Sequence, residues 1–195
     1  MIGVTGGIGM GKSTTARLME EQGLPVVDTD QIAREIVGPG QAALEEIKQA
    51  FGPEMIGADG LLRRDELARH VFADTSARQQ LEAITHPRIR RAWLNQVEAW
   101  RAEGRPRCAV VIPLLFETNA AAQFDAILCV ACTPTTQRQR LRARDWSAEQ
   151  IEQRIAAQWP IEKKMTLSHF VIWTEAGLEV HREQLGRILG QTLKR

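Results

Sequence analysis

At 195 residues, 44% of them hydrophobic, the chain has material for one good core and too little for two comfortable ones. A net charge of +1 gives no electrostatic reason to expect nucleic acid or an anionic membrane as a partner, and no apolar run approaches the length of a membrane span. Three cysteines, an odd and sparse set, argue for reduced thiols over a disulfide framework; with no basic, then apolar leader at the N-terminus, the expected location is cytoplasmic.

The first element is a short apolar strand, Met1-Ile2-Gly3-Val4, running into Thr5-Gly6-Gly7-Ile8-Gly9-Met10-Gly11-Lys12-Ser13-Thr14. From Gly6 to Ser13 the spelling is Gly-x-x-x-x-Gly-Lys-Ser, the pattern of a phosphate-binding loop. Backbone N–H groups can wrap a polyphosphate only where no Cβ stands in the way, and the helix that follows offers unpaired N–H groups and the positive end of its dipole. Lys12 is then expected to reach the β- and γ-phosphates, the backbone from Gly7 to Thr14 to cradle the nucleotide, and the Ser13 hydroxyl to ligate Mg²⁺. A dinucleotide fingerprint fits less well, because no third glycine stands at position 12.

The opening helix is predicted over Lys12–Gln22, stopping at Gly23, and a second strand over Leu24-Pro25-Val26-Val27, which runs out into Asp28-Thr29-Asp30. A strand-helix-strand unit of this length makes two parallel strands with a right-handed crossover, whose carboxyl ends face the ligand crevice. Asp28 and Asp30 therefore belong at the rim that carries the phosphate loop. Asp28 suits a Mg²⁺ or its waters, and Asp30 suits the proton of an attacking hydroxyl. The competing role for Asp30 is an N-cap on a helix beginning at Gln31.

The next buried strand is Ala109-Val110-Val111-Ile112, after roughly 80 further residues where a crossover needs only about a dozen. That surplus carries helical periodicity. Ala43, Leu44, Ile47 and Phe51 form one stripe, and Ile89, Trp93, Val97 and Trp100 form another, with Pro87 in the first turn of its helix. Residues 40–104 are read as a helical insertion that holds a second substrate, within a nucleotide core of 1–39 and 105–195. Within it His86, before Pro87, reads as a structural turn histidine; ahead of it Arg34, one turn past Asp30, is either a surface charge or a holder of a substrate phosphate.

After the third strand, Pro113-Leu114-Leu115-Phe116-Glu117 is either plain core or an apolar wall for a pantetheine-like arm. A fourth strand is predicted over Phe124–Ala131, a helix over Pro134–Arg144, a fifth strand over Phe170–Trp173 and a closing helix over Leu178–Leu193. Cys129-x-x-Cys132 lies in an apolar run without a second pair, which favours buried hydrophobes over metal or redox chemistry. Arg138 and Arg142 share one helix face and Arg140 and Arg144 another, so only one pair can address phosphates. Ser147-Ala148-Glu149-Gln150 spells a capping box. Residues 134–166 are read as a mobile lid.

With these residues in place, the chain resembles the dephospho-CoA kinase family. The resemblance rests on the phosphate loop, on Val27-Asp28-x-Asp30-x-Ile32-Ala33-Arg34, on Ile84-x-His86-Pro87, and on Pro113-Leu114-Leu115-Phe116-Glu117. Gln137…Arg140…Arg144-Asp145 and Ile155-Ala156-Ala157-Gln158 add to it. It implies an α/β P-loop NTPase fold, a five-stranded parallel sheet flanked by helices, with an inserted helical CoA-binding subdomain and a lid. It implies ATP and Mg²⁺, dephospho-CoA as the small-molecule substrate, and phosphorylation of its ribose 3′-hydroxyl. By the same likeness Asp30 is the base, Lys12 the phosphate-binding lysine and Arg140 the lid arginine, with Arg144 on the nucleotide. Arg34, His86, Leu114, Leu115 and Phe116 fall on the CoA side. The chain departs from the family's pattern at Ser168-His169, at Trp173-Thr174 in place of the usual Asp-Asn, and in a lid turn, Asp145-Trp146-Ser147, one residue short. The rival readings are another small-molecule kinase, for a nucleoside monophosphate or shikimate-like acceptor, and a non-catalytic nucleotide sensor. A guanine-reading Asn-Lys-x-Asp is absent.

Overall fold

A computed structural model of the chain describes residues 1–105 and 107–192, apart from the side chains of Phe72 and Thr192. One parallel sheet runs through it in the order β2-β3-β1-β4-β5, built from Ile2–Gly6 (β1), Val26–Asp28 (β2), Ala109–Val111 (β3), Ala126–Ala131 (β4) and Phe170–Trp173 (β5). Helices follow the chain as Lys12–Glu21 (α1), Thr29–Glu35 (α2), Ala42–Phe51 (α3), Arg64–Ala73 (α4) and Thr75–Ala102 (α5). Pro134–Arg142 (α6), Ala148–Ala156 (α7), Ile161–Leu167 (α8) and Leu178–Thr192 (α9) complete the set. Leu193, placed by the sequence at the end of the closing helix, lies outside the described residues.

The contacts divide the chain into two compact units: Thr29–Ala99, and Met1–Asp28 together with the chain from Trp100 onward. The larger unit holds the sheet. Central strands covered on both faces must be apolar throughout, and β4 is buried along its whole length. Val4, Val111, Leu128, Val130 and Ile172 pack there against Leu18 and Met19 of α1 and Leu185 of α9. The glycine stop after α1 has a definite geometry. Gly23, at φ 79°, donates to the Glu20 carbonyl at 2.8 Å and Leu24 N–H to the Met19 carbonyl at 3.0 Å, a double bond pattern that satisfies the helix's last acceptors.

The smaller unit has its own core of Val37, Ala43, Ile47, Phe51, Leu67 and Val71, so the stripe read on α3 does face inward. Pro87 differs from expectation. It lies inside α5, which is one helix of 28 residues and not a helix begun at the proline. A proline there withdraws one N–H from the helical ladder. Side chains take up carbonyls around it: Thr85 Oγ1 donates to Leu81 O at 2.8 Å and Arg88 Nη1 to Ile84 O at 2.6 Å. Arg88 is itself anchored by Glu46 of α3.

β1 passes β4 in register Gly6↔Val130, and an added Cβ at Gly6 would stand 2.2 Å from the Val130 carbonyl oxygen. The obstacle is backbone of a buried strand, and Gly6 sits at φ 146°, so neither partner yields cheaply. Gly6→Ala is expected to destabilise the chain by about 3 kcal/mol. Urea unfolding checks it: the midpoint falls at an unchanged m-value, and a wild-type midpoint would remove this close approach as a constraint.

Candidate active site

The phosphate loop leaves the central strand at Gly6 and enters α1 at Lys12, with Gly11 (φ 104°) at the cap position. No side chain caps that helix and no acidic residue stands in its first turn, so its positive end is uncompensated from within. Lys12 folds back over the loop, with Nζ donating to Gly7 O at 2.9 Å and to Gly6 O at 3.1 Å. Ser13 is exposed at the start of α1, Ile8 and Gly9 are half-buried, and Met10 is buried with its side chain packed on Ala131 and Cys132. The glycines answer to the floor of the loop as well as to a ligand above it. A Cβ on Gly9 would meet Leu141 of α6 at 2.9 Å, and one on Gly7 the Met10 sulfur at 2.7 Å.

That floor is made of side chains from elements distant in sequence. Thr174, buried just beyond β5, donates its hydroxyl to Met10 O at 3.0 Å. The Arg140 guanidinium clasps the same residue, Nη1 to Thr174 Oγ1 at 2.8 Å and Nη2 to Thr174 O at 2.5 Å. Ile8 is held on both sides: its N–H donates to Gln158 Oε1 at 2.9 Å, and its carbonyl accepts from Gln137 Nε2 at 2.8 Å. Below α1, the buried His181 ring lies 3.0 Å from Thr15 Oγ1. Burial, and then the Arg140 charge, push its pKa below the usual histidine value, which keeps the ring neutral. Glu175 accepts from Thr133 N–H and Thr136 Oγ1 at the start of α6, and these bonds hold its carboxyl below the ordinary range. Thr174, Gln137 and Gln158 are the residues that a reading of spacing alone passes over. The signal was in the motifs, since both glutamines stand in matched stretches and Thr174 stands at a departure.

At the same sheet edge β2 ends in Asp28, in register with Val111 of β3, which is level with Val4 of β1. Asp28 is half-buried there, two strands from the phosphate loop, about 10 Å across the sheet. α2 begins at Thr29, so Asp30 lies inside the first helical turn and is not the N-cap of a helix starting at Gln31. Arg34, in the last turn of α2, is exposed, with its carbonyl accepting from Arg64 Nη2 at 3.2 Å. His86 is half-buried within α5.

The loop after β3 is mostly structural. Leu115 is wholly buried, its Cδ1 2.7 Å from where a Gly3 Cβ would be, so it packs the sheet and does not line a surface. Phe116 is buried and stacks on Trp159 at 6.5 Å between centroids and 3° between planes. Leu114 is the half-buried member. Glu117 pairs with the fully buried Lys164 of α8 at 2.7 Å.

The arginines of α6 separate as the helical geometry requires. Arg138 turns to Glu152 of α7 as a two-pronged pair, 2.7 Å and 3.0 Å, while Arg140 turns to the loop floor. Arg144 lies exposed beyond the helix end. The Ser147–Gln150 capping box forms, and Arg154 covers the Trp146 ring at 4.4 Å. All three cysteines are buried and free, and burial raises their pKa values, that of Cys129 to about 11. No group of three metal-binding side chains occurs among the described residues, nor any helix long and apolar enough to cross a membrane.

A family model described as "Dephospho-CoA kinase" matches residues 1–179. A curated relative from Bdellovibrio bacteriovorus, named dephospho-CoA kinase, is 43% identical over 188 residues, covering 96% of this chain and 94% of that protein. A crystal structure from Thermus thermophilus superposes at a TM-score of 0.84 and 35% identity, covering 97% of this chain and 96% of that one. A dephospho-CoA kinase from Campylobacter jejuni superposes at 0.72 and 25% identity, covering 99% and 96%.

Two outcomes follow from this geometry. A thiol with a raised pKa stays protonated and unreactive at pH 8. Ellman's reagent is therefore expected to find no fast-reacting thiol in the native chain and all three after denaturation; one fast native thiol would contradict the burial. Arg140→Ala is expected to weaken nucleotide binding at least tenfold by freeing the loop floor, and Arg138→Ala less than twofold, as calorimetric titration with an ATP analogue would measure. Equal losses would refute the separation of faces.

Proposed function

We propose that this chain, which belongs to the dephospho-CoA kinase family, transfers the γ-phosphoryl group of ATP to the 3′-hydroxyl of the dephospho-CoA ribose, giving CoA and ADP. The observation that carries this reading is the phosphate loop hung from the central strand, Lys12 folded over it, with β2 ending in Asp28 on the same edge. Phosphoryl transfer asks a protein chiefly for positioning and positive charge, together with a group that accepts the attacking hydroxyl's proton.

In this reading the loop N–H groups and the α1 terminus hold the phosphates and Lys12 exchanges its loop carbonyls for phosphate oxygens. Asp30 takes the proton of the 3′-hydroxyl as the new O–P bond forms and the bond to the ADP oxygen breaks. Chain length alone keeps the Asp30 Cα within about 7 Å of that of Asp28, at the ligand end of β2. Mg²⁺ keeps several waters and takes one or two protein oxygens besides phosphates, a demand that the exposed Ser13 hydroxyl and the Asp28 carboxylate fit. When bound, it would neutralise phosphate charge. Arg140 supports the loop from beneath through Thr174, and Arg144 adds charge on the nucleotide side. The helical segment with Arg34 and His86, and Leu114 after β3, would take the CoA side. Of the stretch 134–166, Gln137, Arg140, Gln158 and Lys164 are fixed beneath the phosphate loop and against the loop after β3, so the part that would close over the nucleotide as a lid is the Asp145–Ser147 turn with α7. A cytoplasmic location accords with three unoxidised thiols.

A coupled ADP-release assay with dephospho-CoA, AMP, adenosine and buffer tests the reading; turnover with AMP and none with dephospho-CoA would overturn it. Asp30→Asn is expected to lower kcat by about 10²–10⁴ with KM for ATP little changed. Lys12→Ala should lower kcat by about 10²–10³ while the melting temperature holds. Near-normal kcat in Asp30→Asn would remove Asp30 as the base.

A further inference from the structure

The phosphate loop and the loop after β3 are joined by one short segment. Gln158, just past α7, offers Oε1 to the Ile8 N–H at 2.9 Å. The next residue, Trp159, donates its backbone N–H to Glu117 Oε1 at 2.9 Å and stacks its ring on Phe116. In α8, Lys164 Nζ reaches Glu117 Oε1 at 2.7 Å and Pro113 O at 2.8 Å. Pro113 O also accepts from Thr5 Oγ1 at 3.1 Å, and Thr5 leads into Gly6, so the circuit closes through β1.

We propose that Gln158–Lys164 is a coupling strap that makes the phosphate loop and the Pro113–Glu117 loop a single mechanical element, with Gln158 and Glu117 as positioning residues. Its acceptor side rests on the reading above that Leu114 faces the CoA arm. The strap is stiff for physical reasons. Lys164 has no exposed side-chain surface and Glu117 15%, so separating them leaves a buried charge without its partner. The restraint on Glu117 is all at Oε1, which accepts from both Lys164 Nζ and the Trp159 N–H, while Oε2 is buried with no hydrogen-bond partner among the described residues. At the other end Ile8 is fixed on both sides, by Gln158 and by Gln137. A phosphate that orders Ile8 therefore orders Glu117, and by linkage an acceptor that orders the second loop tightens the first.

Hydrogen exchange tests this without any acceptor. Adding the non-hydrolysable imido analogue of ATP with Mg²⁺ to the full chain is expected to slow the amides of residues 114–118 at least fivefold, along with those of the phosphate loop. In Gln158→Ala the loop amides should still slow and those of 114–118 should not; Gln158→Glu, which keeps an oxygen for Ile8, should restore the remote effect. Native melting checks that both variants fold. Calorimetry then reads the acceptor side: dephospho-CoA is expected to tighten the analogue about fivefold or more in the wild type and less than twofold in Gln158→Ala. Absent protection at 114–118 in the wild type, or protection kept in Gln158→Ala, overturns the strap. Failure of dephospho-CoA to bind overturns the acceptor reading instead, since the exchange result stands without it.

Discussion

The structure depends on a place where the central strand has no side chain. At Gly6 the backbone of β1 lies so close to the Val130 carbonyl of β4 that even a methyl group has no room. The chain can turn out of the sheet there only because Gly6 holds a positive φ that other residues rarely adopt. The loop then stays low over the carboxyl end of the sheet, with Gly9 pressed on Leu141 and Met10 buried behind it. A loop set this tightly has its backbone supported from beneath, the Ile8 N–H by Gln158 and the Met10 carbonyl by Thr174. Preorganisation of that kind is worth most where charge must be stabilised without reorganisation.

The charged groups sort themselves by burial. Arg138–Glu152 and Arg17–Glu21 lie largely in solvent, where water and salt screen an ion pair to little net worth. Lys164–Glu117 is different in kind. Both members were taken out of water, and hydrophobic residues of the same volume would have packed there at no such desolvation cost. What the ion pair adds is geometry, since one ammonium group fixes a carboxylate and the Pro113 carbonyl at once. The neutral His181 beside Arg140 follows the same logic: with one cation already under the loop, a second is disfavoured by burial and repulsion together.

Much of this was legible in the sequence, and the reasons differ by element. β3 and β4 announce themselves as short apolar runs because a strand covered on both faces has no polar side to show, and the edge strand β5 is as apolar in spelling although Val171 and Trp173 are exposed. The phosphate loop is legible because its geometry demands glycine at set places. α5 continues through Pro87, although a proline usually marks a helix's first turn, and the Arg88–Glu46 pair that ties this part of the helix to α3 is visible only in three dimensions. Leu115 illustrates the reverse difficulty. An apolar residue beside a site has the same spelling whether it faces a ligand or the core, and here Gly3 leaves the space that it fills. Gln137 and Gln158 could be seen but not assigned, because a glutamine's role depends on a partner more than a hundred positions away.

The departures from the family's pattern find a physical account in main-chain bonding. At Thr174 one of the two Arg140 bonds goes to the backbone carbonyl, which any residue supplies, and the other to a hydroxyl that can accept from Arg140 while donating to Met10. A hydroxyl has one donor and two acceptor sites, so Thr174 serves both partners without leaving either buried group unpaired. At Ser168-His169 the same reasoning applies: His169 N–H donates to the Ile127 carbonyl, and its Nδ1 accepts the Ile127 N–H, both through backbone groups of β4. That acceptance requires Nδ1 to be without a proton. Apart from the Arg140–Thr174 hydroxyl bond, these partners are main-chain groups, which stay where the sheet and the phosphate loop hold them.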